Sequence, residues 1–179
     1  MATIAFLPRR SLLKKSTDRM GSPKTTTDRV AAFIATAGGA GFFPKAPGTA
    51  GSVVGVFLYL LMRATGMGAW FVHAILLLFF AGILAAQRVE MFWGHDSQRI
   101  VIDEVVGQMI AFSWVGMTQL SWASVITGFA LFRVFDIVKP FPVRHLERVP
   151  GGAGVIADDV GAGLYALAAL TLLRQAFDI

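Results

Sequence analysis

The chain has 179 residues, room for one domain, and is 55% apolar but only 15% charged, with a mean hydropathy of +0.65. A soluble domain carries about 25% charged residues, so much of this chain is expected to have lipid as its solvent. The absence of cysteine excludes disulfides, thiolate metal sites and cysteine-nucleophile chemistry, and the net charge of +5 is concentrated in residues 1–29, where seven basic residues face Asp18 and Asp28.

Residues 1–29 read as a basic, unstructured tail. Its apolar start ends at Pro8 and is too short for a secretion signal. Such a tail suits an anionic membrane surface, at about 1 kcal/mol per basic side chain near the lipid. It lacks the aromatic platform of a nucleic-acid binder, so no nucleic-acid partner is expected. From residue 30 to the end, apolar segments alternate with polar junctions. Segment 30–43 is glycine-rich and short, which predicts a surface or re-entrant helix. Segment 50–62 follows, then a turn at 66–68, and 69–86 is the cleanest span. A polar connector occupies 88–99, and 105–117, 120–138 and 160–173 complete the set. A full crossing needs about 20 apolar residues, so the shorter runs reach that length only by placing polar flanks at the membrane boundary. Period-two alternation and hairpin turns are absent. The expected fold is therefore all-α, a multi-pass helical membrane bundle over residues 30–179.

Five spans and an inner tail put Lys45, Arg88, Arg99, Lys139, Arg144 and Arg148 on the inner side, with only Arg63 and Arg174 near the outer ends. That satisfies the positive-inside bias. It also places every polar cluster on one face.

Four such clusters stand out. Between Gly41 and Ser52 the chain reads GFFPKAPGTAGS, where glycine and proline shape a tight loop, Lys45 offers a cation and Thr49 reads as an N-cap. Amides at a helix start beside a lysine suit phosphate. The glycine spacing is not that of a Walker loop, and a plain helix start explains the segment as well. In IVIDEVVGQ, Asp103 and Glu104 lie between apolar pairs. A charge at bilayer depth costs roughly 2.5–3.5 kcal/mol, and capping by the helix dipole accounts for one carboxylate better than for two. In FRVFDIVKP, Arg133 and Asp136 project from one helix face, with Lys139 after them; a structural ion pair is the plain alternative. Asp158 and Asp159 follow a glycine loop at 151–154 and are expected at a helix start, where capping again explains one of them.

Together these clusters bring five carboxylates and at least three cations to one face. Oxygen donors without cysteine or histidine select Mg²⁺, Mn²⁺ or Ca²⁺ over zinc or copper. The candidate metal shell is Asp103, Glu104, Asp136, Asp158 and Asp159, with Asp103, Glu104 and Asp159 as the catalytic candidates. Lys45, Thr49, Arg133 and Lys139 would hold phosphate and headgroup oxygens. Phosphate-monoester hydrolysis needs accelerations up to about 10²¹-fold, whereas one positioned acid or base supplies about 10²–10⁴-fold. Charge stabilisation has to carry the rest. His95 and His145 read as ordinary interfacial residues and His73 as a core residue. A small transporter or anion-binding subunit would fit intramembrane charges equally well. A phosphoalcohol transferase using CDP-activated lipids would show three aspartates spaced by four after an Asp-Gly pair, and that signature is missing.

The strings FPKAPGTAGS, IDEVVG, FRVFDIVKPFP and GGAGVIADDVGAG, in this order, resemble those of the phosphatidylglycerophosphatase A family. The resemblance runs from about residue 37 to the end of the last helix and leaves out the basic tail. It implies a helical membrane enzyme that hydrolyses phosphatidylglycerophosphate to phosphatidylglycerol and inorganic phosphate, with Mg²⁺ as cofactor. It further implies a bacterial inner-membrane location with the site facing the cytoplasm.

Overall fold

The computed structural model describes residues 21–95, 97–113, 121–146 and 152–177. Residues 1–20 of the expected tail, and residues 114–117 and 120 of two predicted segments, lie outside the described residues.

Helix α1 (Thr26–Ala35) begins inside the segment assigned to the tail. The cause is a capping box. The Thr25 hydroxyl accepts from the Asp28 amide at 3.1 Å, and the Asp28 carboxylate accepts from the amides of Thr25 at 2.9 Å and Lys24 at 3.1 Å. Arg88 Nε adds a third donor to the Asp28 carboxylate, at 2.8 Å, and ties α1 to α3 (Phe71–Trp93).

The apolar run of α3 ends near residue 86, yet the helix continues to Trp93. Gln87, Arg88 and Glu90 are good helix formers, and both Arg88 and Glu90 find partners at this end. Gly94, at φ 89°, turns the chain out of the helix. The polar connector is therefore shorter than expected. Val101 donates to the Ala35 carbonyl at 2.8 Å and locks it beneath α1.

Helix α2 (Pro47–Ala64) starts with proline in its first turn and has no side-chain cap. Thr49, expected at the N-cap, stands instead inside the first turn, because Ala46 is the capping residue.

Helix α4 (Ile102–Ala111) is the centre of the bundle and packs on α2, α3, α5 (Trp122–Val138) and α7 (Gly152–Phe177). Its residues 105–109 are all buried, as a helix surrounded on every side requires. Close approach depends on glycine. A Cβ on Gly163 would strike the Gly107 carbonyl oxygen, and one on Gly107 would lie 2.6 Å from the Asp159 carbonyl. Thus α4 and α7 cross backbone against backbone. Helix α5 ends at Lys139, in the left-handed conformation at φ 46°, and the short α6 (Val143–Leu146) leads on towards α7.

The segment expected at 160–173 is much longer: α7 has 26 residues and starts at Gly152. Asp158 and Asp159 therefore lie at the end of the second turn and the start of the third rather than at the helix start.

No strand occurs among the described residues. Large apolar side chains such as Leu77, Leu84 and Leu172 are about two-thirds exposed, an outer surface suited to lipid. Three helical stretches are long and apolar enough to cross a membrane: Pro47–Ala64, Met67–Trp93 and Ala153–Phe177. At 1.5 Å per residue α4 is only about 15 Å long, against a hydrocarbon core of about 30 Å. Of the five crossings expected from the hydropathy pattern, three are matched by described stretches of that length, and α4 is instead buried inside the bundle.

Candidate active site

Two helix starts, one helix end and an inner stretch of α7 meet at one end of the bundle. Helix α2 contributes its first turn, α4 contributes Asp103 and Glu104 in its first turn, and α7 contributes Asp158 and Asp159. The last turns of α5 add Arg133 and Asp136, with Lys139 at its C-cap. They enclose a cavity of about 590 Å³, lined by all nine residues singled out above: Lys45, Thr49, Asp103, Glu104, Arg133, Asp136, Lys139, Asp158 and Asp159. Positive ends of helix dipoles point towards this region, which favours carboxylates and phosphate there.

The carboxylates form two groups. Asp103, Glu104 and Asp159 each offer an oxygen, and these lie within 4.8 Å of one another. Asp136 and Asp158 instead have cationic partners: Arg133 Nη1 lies 2.8 Å from Asp136 Oδ2, and Lys139 Nζ donates to Asp158 Oδ2 at 2.6 Å. The shell of five expected from the sequence is thus a tight set of three flanked by two ion pairs. Spacing of three along α5 explains why Asp136 closes on Arg133.

Arg133 also donates to Ser52 Oγ at 3.2 Å, which anchors the guanidinium to α2. Gly48 matters for a related reason. A Cβ there would run into Glu104 Oε1, so the missing side chain lets Glu104 lie against the start of α2.

Charge and hydration are unbalanced in this cavity. Its wall holds five carboxyl groups against Lys45, Arg133 and Lys139, an excess of two acidic groups. Asp103 Oδ1, Glu104 Oε2, Asp158 Oδ1 and Asp159 Oδ2 are sealed from solvent and have no hydrogen-bond partner. Each such orphan costs about 1–3 kcal/mol, more when charged. Burial pushes the Asp103 carboxyl well above the ordinary carboxylate range, and the charges of Glu104 and Asp159 push it further. Burial raises Glu104 too, aided by Asp136 and opposed by a hydrogen bond from Asp103 and the charge of Arg133. Hard, unpartnered oxygens in a wall with two more acidic than basic groups fit a small divalent cation, which Asp103, Glu104 and Asp159 could hold.

His95 was read from the sequence as an ordinary interfacial residue, but it lines the same cavity, with Nδ1 2.6 Å from Glu90 Oε1. Nothing in the sequence signals the pair. A spacing of five does not place two side chains on one helix face; the turn at Gly94 brings them together.

Comparison with known proteins gives a consistent picture. The family model described as phosphatidylglycerophosphatase A matches residues 33–174. A Haemophilus influenzae protein named phosphatidylglycerophosphatase A is 38% identical over 138 residues, covering 75% of this chain and 83% of that protein. An Escherichia coli protein of the same name is 30% identical over 162 residues, covering 90% and 89%. A Bacteroides thetaiotaomicron protein named "Putative phosphatidylinositol-3-phosphatase" is 45% identical over 147 residues, covering 79% and 92%. No solved structure matches the chain.

Proposed function

The chain belongs to the phosphatidylglycerophosphatase A family, and on that premise we propose that it hydrolyses phosphatidylglycerophosphate to phosphatidylglycerol and inorganic phosphate with Mg²⁺. The observation that carries this reading is the set of unpartnered carboxylate oxygens from Asp103, Glu104 and Asp159 beside Lys45, Arg133 and Lys139. Family membership sets aside the transporter and phosphoalcohol-transferase readings.

The division of labour follows from the charges. Asp103, Glu104 and Asp159 would hold Mg²⁺, which ordinarily binds through one or two carboxylates plus water and phosphate. When bound, the cation would supply charge neutralisation at the phosphoryl oxygens. Lys45, the first-turn amides of α2 near Thr49, Arg133 and Lys139 take the remaining phosphate oxygens. Asp136 and Asp158 keep Arg133 and Lys139 in place. The phosphate of a membrane lipid sits at the headgroup level, where this cavity opens, while its acyl chains stay beside the apolar flanks of the helices. The positive-inside bias supports an opening on the cytoplasmic side of a bacterial inner membrane.

The 45% identity to the Bacteroides protein supports one alternative substrate, phosphatidylinositol 3-phosphate. It is also a lipid phosphomonoester and would use the same cavity. Phosphate release by the purified protein from each lipid, with Mg²⁺ and with chelator, tests both readings. Release from phosphatidylglycerophosphate that chelator abolishes is the expected result. Preference for the inositol lipid would transfer the assignment to it, and release indifferent to chelator would remove the cation.

A further inference from the structure

We propose that His95, oriented by Glu90, is the general acid that protonates the departing glycerol oxygen; this rests on the phosphomonoesterase reading above. Three observations place it there. Helix α3 ends at Trp93, and Gly94 at φ 89° swings the next residue off the helix axis. His95 then lines the cavity that also holds Asp103, Glu104 and Asp159. Glu90 Oε1 lies 2.6 Å from His95 Nδ1, and the two side chains differ sharply in exposure, 15% for Glu90 and 67% for His95. An ionised carboxylate only accepts, so Nδ1 carries a proton and donates it to Glu90. The ring is thereby oriented, and Nε2 is the nitrogen left outside that bond.

The reaction needs a group of this kind. As the bond from water oxygen to phosphorus forms, the phosphorus–oxygen ester bond breaks, and its electron pair stays on the glycerol oxygen. An alkoxide is a poor leaving group, and a proton moved from Nε2–H of the imidazolium turns it into an alcohol. The attacking water gives its own proton to a cavity carboxylate and then to solvent. Lysine and arginine hold their protons too tightly for this transfer near neutral pH, whereas an imidazole exchanges one readily. The exposed His95 ring then regains its proton from solvent. Glu90 acts through His95 and is a positioning residue.

The test compares two substrates in the full-length protein with Mg²⁺. One is phosphatidylglycerophosphate; the other is its analogue with sulfur in place of the bridging ester oxygen, whose thiolate departs without a proton. His95→Gln should lower kcat on the oxygen ester by on the order of 10²-fold, with KM little changed and the loss largely absent on the sulfur analogue. Glu90→Gln should show the same pattern more weakly, and it carries the test if His95→Gln does not fold. Full activity of both variants on the oxygen ester, or an equal loss on both substrates, overturns the proposal. A wild-type protein that releases no phosphate from the oxygen ester overturns the phosphatase reading instead.

Discussion

Helices α1 and α4 have the same length, ten residues, and both carry acidic side chains in the first turn, one on α1 and two on α4, yet they treat them in opposite ways. On α1, Asp28 collects two backbone amides beside it and Arg88 from α3. The Thr25 amide is the largest influence, and together these donors pull its pKa down to about 2. On α4, Asp103 and Glu104 have buried oxygens with no donor, and burial drives both pKa values upward. A carboxylate whose valences are met inside the chain serves the fold. One left unmet at the same structural position is held ready for something the chain does not itself supply.

Exchanging charge for amide at the two positions breaks this comparison most strongly. Asp103→Asn should reduce phosphate release by about 10²–10³-fold, the scale on which a preorganised charge is worth keeping. The fold should survive or gain, because a buried carboxyl that is costly to ionise has been replaced by a group of the same shape that carries no charge. Asp28→Asn should do the reverse, with activity retained and thermal stability lowered. Measured kcat/KM and unfolding midpoints in micelles decide it. An active Asp103→Asn would remove the residue from the site.

Adding Mg²⁺ sharpens the contrast. Carboxyls with raised folded pKa values hold protons that the unfolded chain has already released, so the cation-free protein loses stability as pH rises above the ordinary carboxylate range. Bound Mg²⁺ reverses the penalty and stabilises the native state by about 2.7 kcal/mol at a hundred times its Kd. The thermal shift on adding Mg²⁺ should therefore grow from mildly acidic to neutral pH and vanish in Asp159→Asn. A shift of equal size in that variant would place the ion elsewhere.

Some of this was readable in advance and some was not. Asp103-Glu104 stood out because Ile102 and Val105 leave no reason for solvated charge, and Arg133 and Asp136 because their spacing forces them together. The extents of α3 and α7 were hidden. Hydropathy marks where a helix touches lipid or core, but Gln87 to Trp93 stays helical through good local propensity and the Arg88–Asp28 bond. Gly152 and Gly154 read as loop, yet they are helical at the start of α7, where packing outweighs propensity. The depth of α4 was equally illegible, since an apolar run cannot tell burial among helices from burial in lipid. Gly48 and His95 carried no signal, because their meaning comes from Glu104 and Glu90 across a turn or between helices.

The smallest effect concerns the satisfied carboxylate alone. The folded pKa of Asp28 is about 2, against an ordinary 3.8, so its contribution is fully present above the unfolded value and lost as pH falls through the folded one. The stability gap between wild type and Asp28→Asn should hold from neutral pH down to about 4 and close towards about 2. Acid titration of the cavity carboxylates is common to both proteins and cancels in that difference. Thr25→Ala offers the control: it removes the hydroxyl that caps α1, which costs about 0.5–2 kcal/mol. The cap hydroxyl is neutral, so the Thr25→Ala penalty should be nearly flat over the same range. If thermal unfolding showed the Asp28→Asn gap to be just as flat, the carboxylate would be acting as a neutral hydrogen-bond acceptor. The two ten-residue helices would then no longer differ in how they hold charge.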